Sequence, residues 1–317
     1  MKTPLSTLLG SVAAGAALIA LTACGGDAGA NNTDASTGEP VSIQHAQGTT
    51  DNVPVNPETV FTFDLGVLDT LEAIGVEADG VPEATYPGSL AKYSEEKYTK
   101  IGSMKEPDFE AISAGAPDLI IVSGRTAGSY EELSKIAPTI DLSVDAADPL
   151  DSFRDQAEAL GRIFDAEESV AGQLEAIDAQ IAGVKAKSAD AGNALILMTS
   201  GGEVTAYGAG SRFGLVHDVL GVPTAADVKS EGSHGEAVSF EFVKETNPDL
   251  MFVIDRDAAV GTTAGGASGA VLDNELVEST NAAKNDRIVS LDATSWYLVG
   301  YGLNNLPQMI GAVAGAL

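Results

Sequence analysis

The sequence predicts an α/β protein built as two similar lobes with mainly parallel sheets, joined by one long rigid helix. Three observations carry this. Short apolar runs of strand type alternate with helix-like segments from Val41 onward. One segment recurs: residues 108–125 read DFEAISAGAPDLIIVSGR and residues 239–256 read SFEFVKETNPDLMFVIDR, at a constant offset of 131 without a gap. Between the copies, Val170, Leu174, Ile177, Ile181 and Val184 fall on one helical stripe.

The chain opens on a segment that stands apart from this body. Lys2 supplies a positive start, and Leu8 to Leu21 is an almost unbroken run of small and apolar residues. That is shorter than the roughly 20 apolar residues of a spanning helix, and it has the length of a signal-peptide core. It ends in Leu21-Thr22-Ala23-Cys24, which resembles a lipobox, and Cys24 is the single cysteine of the chain. Residues 1–23 are therefore expected to be a lipoprotein signal peptide. Cys24 is then the lipidated first residue, anchoring the protein on the extracytoplasmic face of the cell membrane without spanning it. Residues 24–40 contain no Val, Ile, Leu or aromatic residue and read as a flexible tether.

The elements follow in order. Val41–His45 and Val60–Phe63 read as strands, and Leu65–Ile74 as a helix stopped by Gly75. Leu119–Val122, Leu195–Met198, Met251–Ile254 and Ile288–Leu291 are short runs of buried-strand type. Each repeat copy reads as a short helix, a Pro-Asp turn, an apolar strand and an Arg just past it. For the long helix, Asp165 is the expected N-cap, with Glu168 completing a capping box. Lys185 and Lys187 suit its C-terminal end. At 1.5 Å per residue it makes a rod about 30 Å long. The divisions expected are an N-terminal lobe over 41–164, the linking helix over 165–188 and a C-terminal lobe over 189–317.

Composition excludes several classes. Against 46 acidic residues the chain has 17 basic ones, a net charge of −29, which argues against nucleic acid. One cysteine rules out a disulfide framework. Three scattered histidines argue against a zinc or manganese receptor. No nucleophile elbow, zincin helix, Walker loop or dinucleotide loop occurs, so an enzyme is not expected.

The chain has six arginines: Arg125, Arg154, Arg162, Arg212, Arg256 and Arg287. Arg125 and Arg256 stand at equivalent strand ends, where open α/β sheets bind ligands. Such a pair points to an anionic, oxygen-rich ligand, because a guanidinium fork can donate two parallel hydrogen bonds. Surface ion pairing is the alternative for these residues. Glu110 and Glu241, also repeat-matched, sit near helix starts, where the dipole favours a carboxylate. A docking role toward a symmetric partner is the other reading.

The segments NPETVFTFDLGVLDTLEAIGV (56–76), IGS (101–103), FEAI…PDLIIVSGR (109–125), GSRFGLVHDVLG (210–221), EGSHGEAVSFEFV (231–243), NPDLMFVIDR (247–256) and LDATSWYL (291–298) resemble a known family. This is the substrate-binding lipoproteins of iron-siderophore ABC importers, and more narrowly their catecholate, petrobactin-type branch. The similarity runs over roughly residues 55–317. It implies two Rossmann-like lobes joined by one long helix, with a ferric siderophore carried in a shallow cleft between them. It implies an arginine triad for the anionic complex, matched here by Arg125, Arg212 and Arg256. His234 and Tyr297 match residues that complete the iron shell when the siderophore leaves two sites open, and a phenolate suits hard ferric iron. Glu110 and Glu241 match the acidic residues that dock on the permease. The resemblance implies a monomer with no permanently bound cofactor. Haem or cobalamin on the same scaffold is the alternative ligand. His217 is expected to be structural, and His45 is assigned no role. Two features depart from the family: the Gly/Ala-rich stretch at 261–270, and a body more acidic than an anion receptor needs.

Overall fold

Both copies of the repeat fold into the same unit in a computed structural model that describes residues 38–229, 234–262 and 268–317. The signal peptide, Cys24 and most of the tether lie outside the described residues, as does the middle of the 261–270 stretch. In the first copy α2 (Phe109–Gly115) is capped by Asp108, whose carboxylate accepts from the Glu110 and Ala111 amides. In the second, α6 (Phe240–Thr246) is capped by Ser239. The two helices end at matched left-handed residues, Ala116 at φ 44° and Asn247 at φ 45°. Pro117 and Pro248 then bar continuation. Asp118 and Asp249 follow, each accepting the backbone N–H that precedes the neighbouring strand, from Thr59 at 2.9 Å and Asn193 at 3.2 Å. The shared Pro-Asp-Leu thus stops a helix and pins the next strand beside its partner.

The N-terminal lobe carries a hairpin of β1 (Val41–His45) and β2 (Gly48–Val53) and a parallel sheet. The sheet strands are β3 (Val60–Thr62), β4 (Gly80–Glu83), β5 (Thr99–Ser103), β6 (Leu119–Val122) and β7 (Thr139–Asp141), in the order β5-β4-β3-β6-β7. The chain order reverses between β3 and β6, so their carboxyl ends open a crevice. Helix α1 (Leu65–Ala73) leaves the end of β3 and is N-capped by Asp64, which accepts from Gly66 and Val67 amides at 2.8 and 3.0 Å. Gly75, at φ +79°, ends it as expected. A short helix α3 (Tyr130–Leu133) precedes β7.

The second sheet contains β8 (Ala194–Ser200), β9 (Glu203–Tyr207), β10 (Glu236–Val238), β11 (Leu250–Asp255) and β12 (Ile288–Leu291), in the order β10-β9-β8-β11-β12. β8, β11 and β12 pair in parallel, whereas β9 runs opposite and pairs antiparallel with both β8 and β10. The lobes therefore share the repeat half of their architecture. After β11 come α7 (Arg256–Ala259), α8 (Ser268–Leu272), α9 (Glu275–Glu278) and α10 (Asn281–Lys284). A π-helical turn, Ser295–Val299, precedes the last helix, α11 (Asn305–Ala314).

The chain passes from one sheet to the other through α4 (Pro149–Ile163) and α5 (Glu167–Ser188). The expected stripe of α5 is buried, each of its five residues at 5 % exposure or less, and it packs into the core of the second lobe. Helix α4 serves both cores: Phe153 and Ala157 join the second, while Ala159, Leu160 and Ile163 join the first. One local expectation is corrected. Asp165 does not N-cap α5, which begins at Glu167 without a side-chain cap. Asp165 lies at φ 51°, a left-handed conformation that an N-cap does not use, and it reverses the chain after α4. Its carboxylate instead accepts from the Asn56 amide.

Candidate functional site

A cleft of about 550 Å³ is lined by both lobes and by α4. Asp64, Ser123 and Arg125 come from the carboxyl ends of β3 and β6, the crevice that the strand order opens. Ser211, Arg212 and His234 come from the second lobe, and residues 296–301 from the π-turn and its exit. Phe153, Gln156, Ala157 and Leu160 of α4 line it too.

Tyr297 is the centre of the arrangement. The Nη2 atoms of Arg125 and Arg212 both donate to its carbonyl oxygen at 2.8 Å. Arg256 donates through Nε to its phenol oxygen at 3.0 Å. All three guanidinium carbons lie over its ring, at 5.6, 4.7 and 5.6 Å from the centroid for Arg125, Arg212 and Arg256. Burial alone would push the phenol upward; the Arg256 hydrogen bond and the three nearby charges outweigh it and hold Tyr297 below the ordinary tyrosine range. Arg212 is also held down, by burial first and then by the like charge of Arg125.

The three arginines are held differently. Arg256 is braced: its Nη1 donates to Ser200 Oγ at 3.1 Å and lies 3.8 Å from the buried Asp257 carboxylate. Among the described residues, neither Arg125 nor Arg212 has a carboxylate within 4 Å. Asp64 is close enough to Arg125 to feel its charge, yet burial dominates and pushes the Asp64 carboxyl up. Arg256 is not a lining residue and reaches the cleft through Tyr297.

The structure thus brings Arg125, Arg212, Arg256 and Tyr297 into one cluster and sets the exposed His234 on the same cleft. Glu110 and Glu241 lie outside the cleft, both exposed, in the first turns of α2 and α6. His217 is buried, its Nδ1 2.8 Å from the Val222 carbonyl. His45 sits in β1 against Thr50 and Tyr130. Trp296 is buried at 2 % exposure yet reaches the cleft wall. Sequence reasoning missed Asp64, Ser200 and Asp257. Asp64 had a signal, since it follows the strand paired with the first Arg-bearing strand. Ser200 and Asp257 become visible only once β8 and β11 are paired.

A family model described as periplasmic binding protein matches residues 60–294. The chain belongs to the periplasmic binding protein family. This family member is 42% identical to the petrobactin-binding protein YclQ of Bacillus subtilis (strain 168), over 94% of this chain and 95% of that one. The crystal structure of YclQ superposes with a TM-score of 0.84, covering 88% of this chain and 99% of that chain. It is 32% identical to the ferric-anguibactin-binding protein FatB of Vibrio anguillarum, over 86% of this chain and 85% of that one. The periplasmic catecholate-siderophore binding protein VctP of Vibrio cholerae superposes with a TM-score of 0.82 at 36% identity, over 87% of this chain and 100% of that chain. These relatives are binding proteins, and two α/β lobes are the architecture this periplasmic binding protein shares with them.

Proposed function

We propose that the protein binds a ferric siderophore of catecholate type in the inter-lobe cleft and delivers it to an ABC permease for iron uptake. The observation that carries the reading is the pair Arg125 and Arg212. In a chain of charge −29 they face one cleft, one from each lobe, half-buried and without a carboxylate partner among the described residues. Two such cations held on a neutral carbonyl keep most of their donors for an incoming anion. A ferric catecholate offers charged oxygens to the guanidinium forks and flat rings to stack on them. The relatives named for petrobactin, ferric anguibactin and catecholate siderophores support the same class.

The iron arrives as cargo, and the protein needs no resident cofactor. His234 and Tyr297 complete the iron shell where the siderophore leaves coordination sites open; Tyr297 suits this because its cationic surroundings favour the phenolate. Glu110 and Glu241 form two acidic contacts, one per lobe, for the permease. The protein works as a monomer, tethered through lipid on Cys24 at the extracytoplasmic face.

The test is a titration of residues 25–317 with ferric catecholate, ferric hydroxamate, haem and cobalamin, followed by quenching of Trp296, the only tryptophan. Saturable quenching by ferric catecholates, weakened by Arg125→Ala, is the expected result. Quenching by haem or cobalamin alone would replace the ligand and discard the arginine argument.

A further inference from the structure

We infer that Asn305, which does not line the cleft, is the positioning residue that holds the recognition cluster in shape. Its role is to strap the π-turn that presents the Tyr297 oxygens to the arginines. The side-chain amide donates to both ends of that turn, to the Gly300 carbonyl at 2.7 Å and the Ser295 carbonyl at 3.1 Å. Its Oδ1 accepts from Ser295 Oγ at 2.7 Å. All three contacts are made by a residue at 5 % exposure.

The strap matters because of what the π-turn frees. In an α-helix the Tyr297 carbonyl would accept the N–H four residues on. Here the ladder is shifted: the Gly300 N–H reaches back five residues to Ser295, and Gly300 ends the turn at φ +66°. Among the described residues, no following backbone N–H takes the Tyr297 carbonyl. It is left for Arg125 and Arg212, whose like charges need a shared acceptor to stand together. Asn305 is itself fixed from the other lobe, since its backbone N–H, with that of Asn304, donates to Asp69 Oδ2 at 2.8 Å. The strap therefore links the N-terminal lobe, the π-turn and the arginine pair.

The inference rests on the siderophore reading for its ligand but not for its geometry, and the experiment separates the two. The probe is ferric 2,3-dihydroxybenzoate, titrated into the full chain in detergent. Asn305→Leu keeps the side-chain size and removes every bond of the strap. It is expected to weaken probe binding about ten-fold, the equivalent of one net hydrogen bond, and to shift Trp296 emission in the free protein. Combined with Arg125→Ala, the losses are expected to be smaller than the product of the two, because Asn305 acts through the arginine's acceptor. A merely structural role predicts multiplicative losses. Ser295→Ala removes one leg only and serves if Asn305→Leu fails to fold. Multiplicative losses, or unchanged affinity with unchanged Trp296 emission, would overturn the inference. If the wild-type chain does not bind the probe, the ligand reading falls, and Trp296 emission in the free variant still decides whether Asn305 holds the turn.

Discussion

Arg125 and Arg212, from opposite lobes, donate to one and the same oxygen, the carbonyl of Tyr297, each at 2.8 Å. A carbonyl has two lone pairs and can serve both. The contact ties the lobes at the cleft and sets two cations side by side before any ligand arrives. Such preorganisation lowers the ordering cost of binding.

Removing either arginine should therefore cost more than one surface charge. Charge-assisted hydrogen bonds are worth roughly 1.5–3 kcal/mol, so Arg125→Ala and Arg212→Ala are each expected to weaken ferric catecholate binding about 10- to 150-fold. Lysine should not restore it, because an ammonium lacks the planar fork that reaches carbonyl and ligand together. Trp296 quenching measures both; full affinity in either lysine variant would count against bidentate recognition.

Tyr297→Phe separates the roles of the residue's two oxygens. The carbonyl stays, so Arg125 and Arg212 keep their acceptor. The hydroxyl goes, so Arg256 loses its hydrogen bond to Tyr297 and keeps Ser200 and the ring face. The expected outcome is near-normal affinity for hexadentate catecholates, which fill the iron shell. Tetradentate ones should bind more weakly and lose a phenolate-to-iron absorption band. Equal losses for both classes would show that the phenol acts through Arg256 and not on iron.

How much of this was legible in the sequence follows from the range of the forces involved. The repeat could be read because its parts are local: a cap, a left-handed residue before proline, and an aspartate that pins the next strand. The stripe of α5 could be read because period alone fixes which face is buried. The Asp165 cap failed because its competitor was the tight reversal from α4, where Ala166 N–H turns back to the Gly161 carbonyl at 2.8 Å. Arg125 and Arg256 were found by topology, and Arg212 and Tyr297 by resemblance. Asn305 and Asp69 carried no signal, since they meet across 236 residues of chain.

Glu110 and Glu241 are exposed and neither lines the cleft, so the double alanine variant should bind siderophore normally and lose only the helix-dipole contribution of the two carboxylates, about 0.3–1 kcal/mol each. Iron uptake by cells carrying it should fall to background. Lost binding in the double variant would make these residues structural instead.

Gly66 sets how closely α1 approaches the π-turn. A Cβ there would stand 2.3 Å from the Tyr301 carbonyl oxygen and 2.8 Å from that of Val299. Backbone on both sides cannot yield cheaply, and overpacking of this kind costs about 1–3 kcal/mol. Gly66→Ala should lower the urea midpoint and weaken siderophore binding together. A variant that lost stability but bound normally would show that the turn tolerates displacement.

Asp69 gives a pH dependence with a definite sign. Burial, partly offset by the Asn305 and Asn304 amides and reinforced by Glu72, raises its pKa from 3.8 to about 6. A folded-state pKa above the unfolded one means that the folded form binds the proton more readily. The desolvation cost of the carboxylate is therefore felt in full above pH 6 and is relieved as pH falls toward 4. Roughly two pKa units correspond to about 3 kcal/mol as an order of magnitude. Asp69→Asn keeps an oxygen able to accept from both amides but does not titrate. Urea unfolding at pH 7 and pH 4.5 should show the wild type gaining on the variant by about 2 kcal/mol at the lower pH. A difference that stayed constant across that range would place the Asp69 pKa near its ordinary value, with the carboxylate charged throughout.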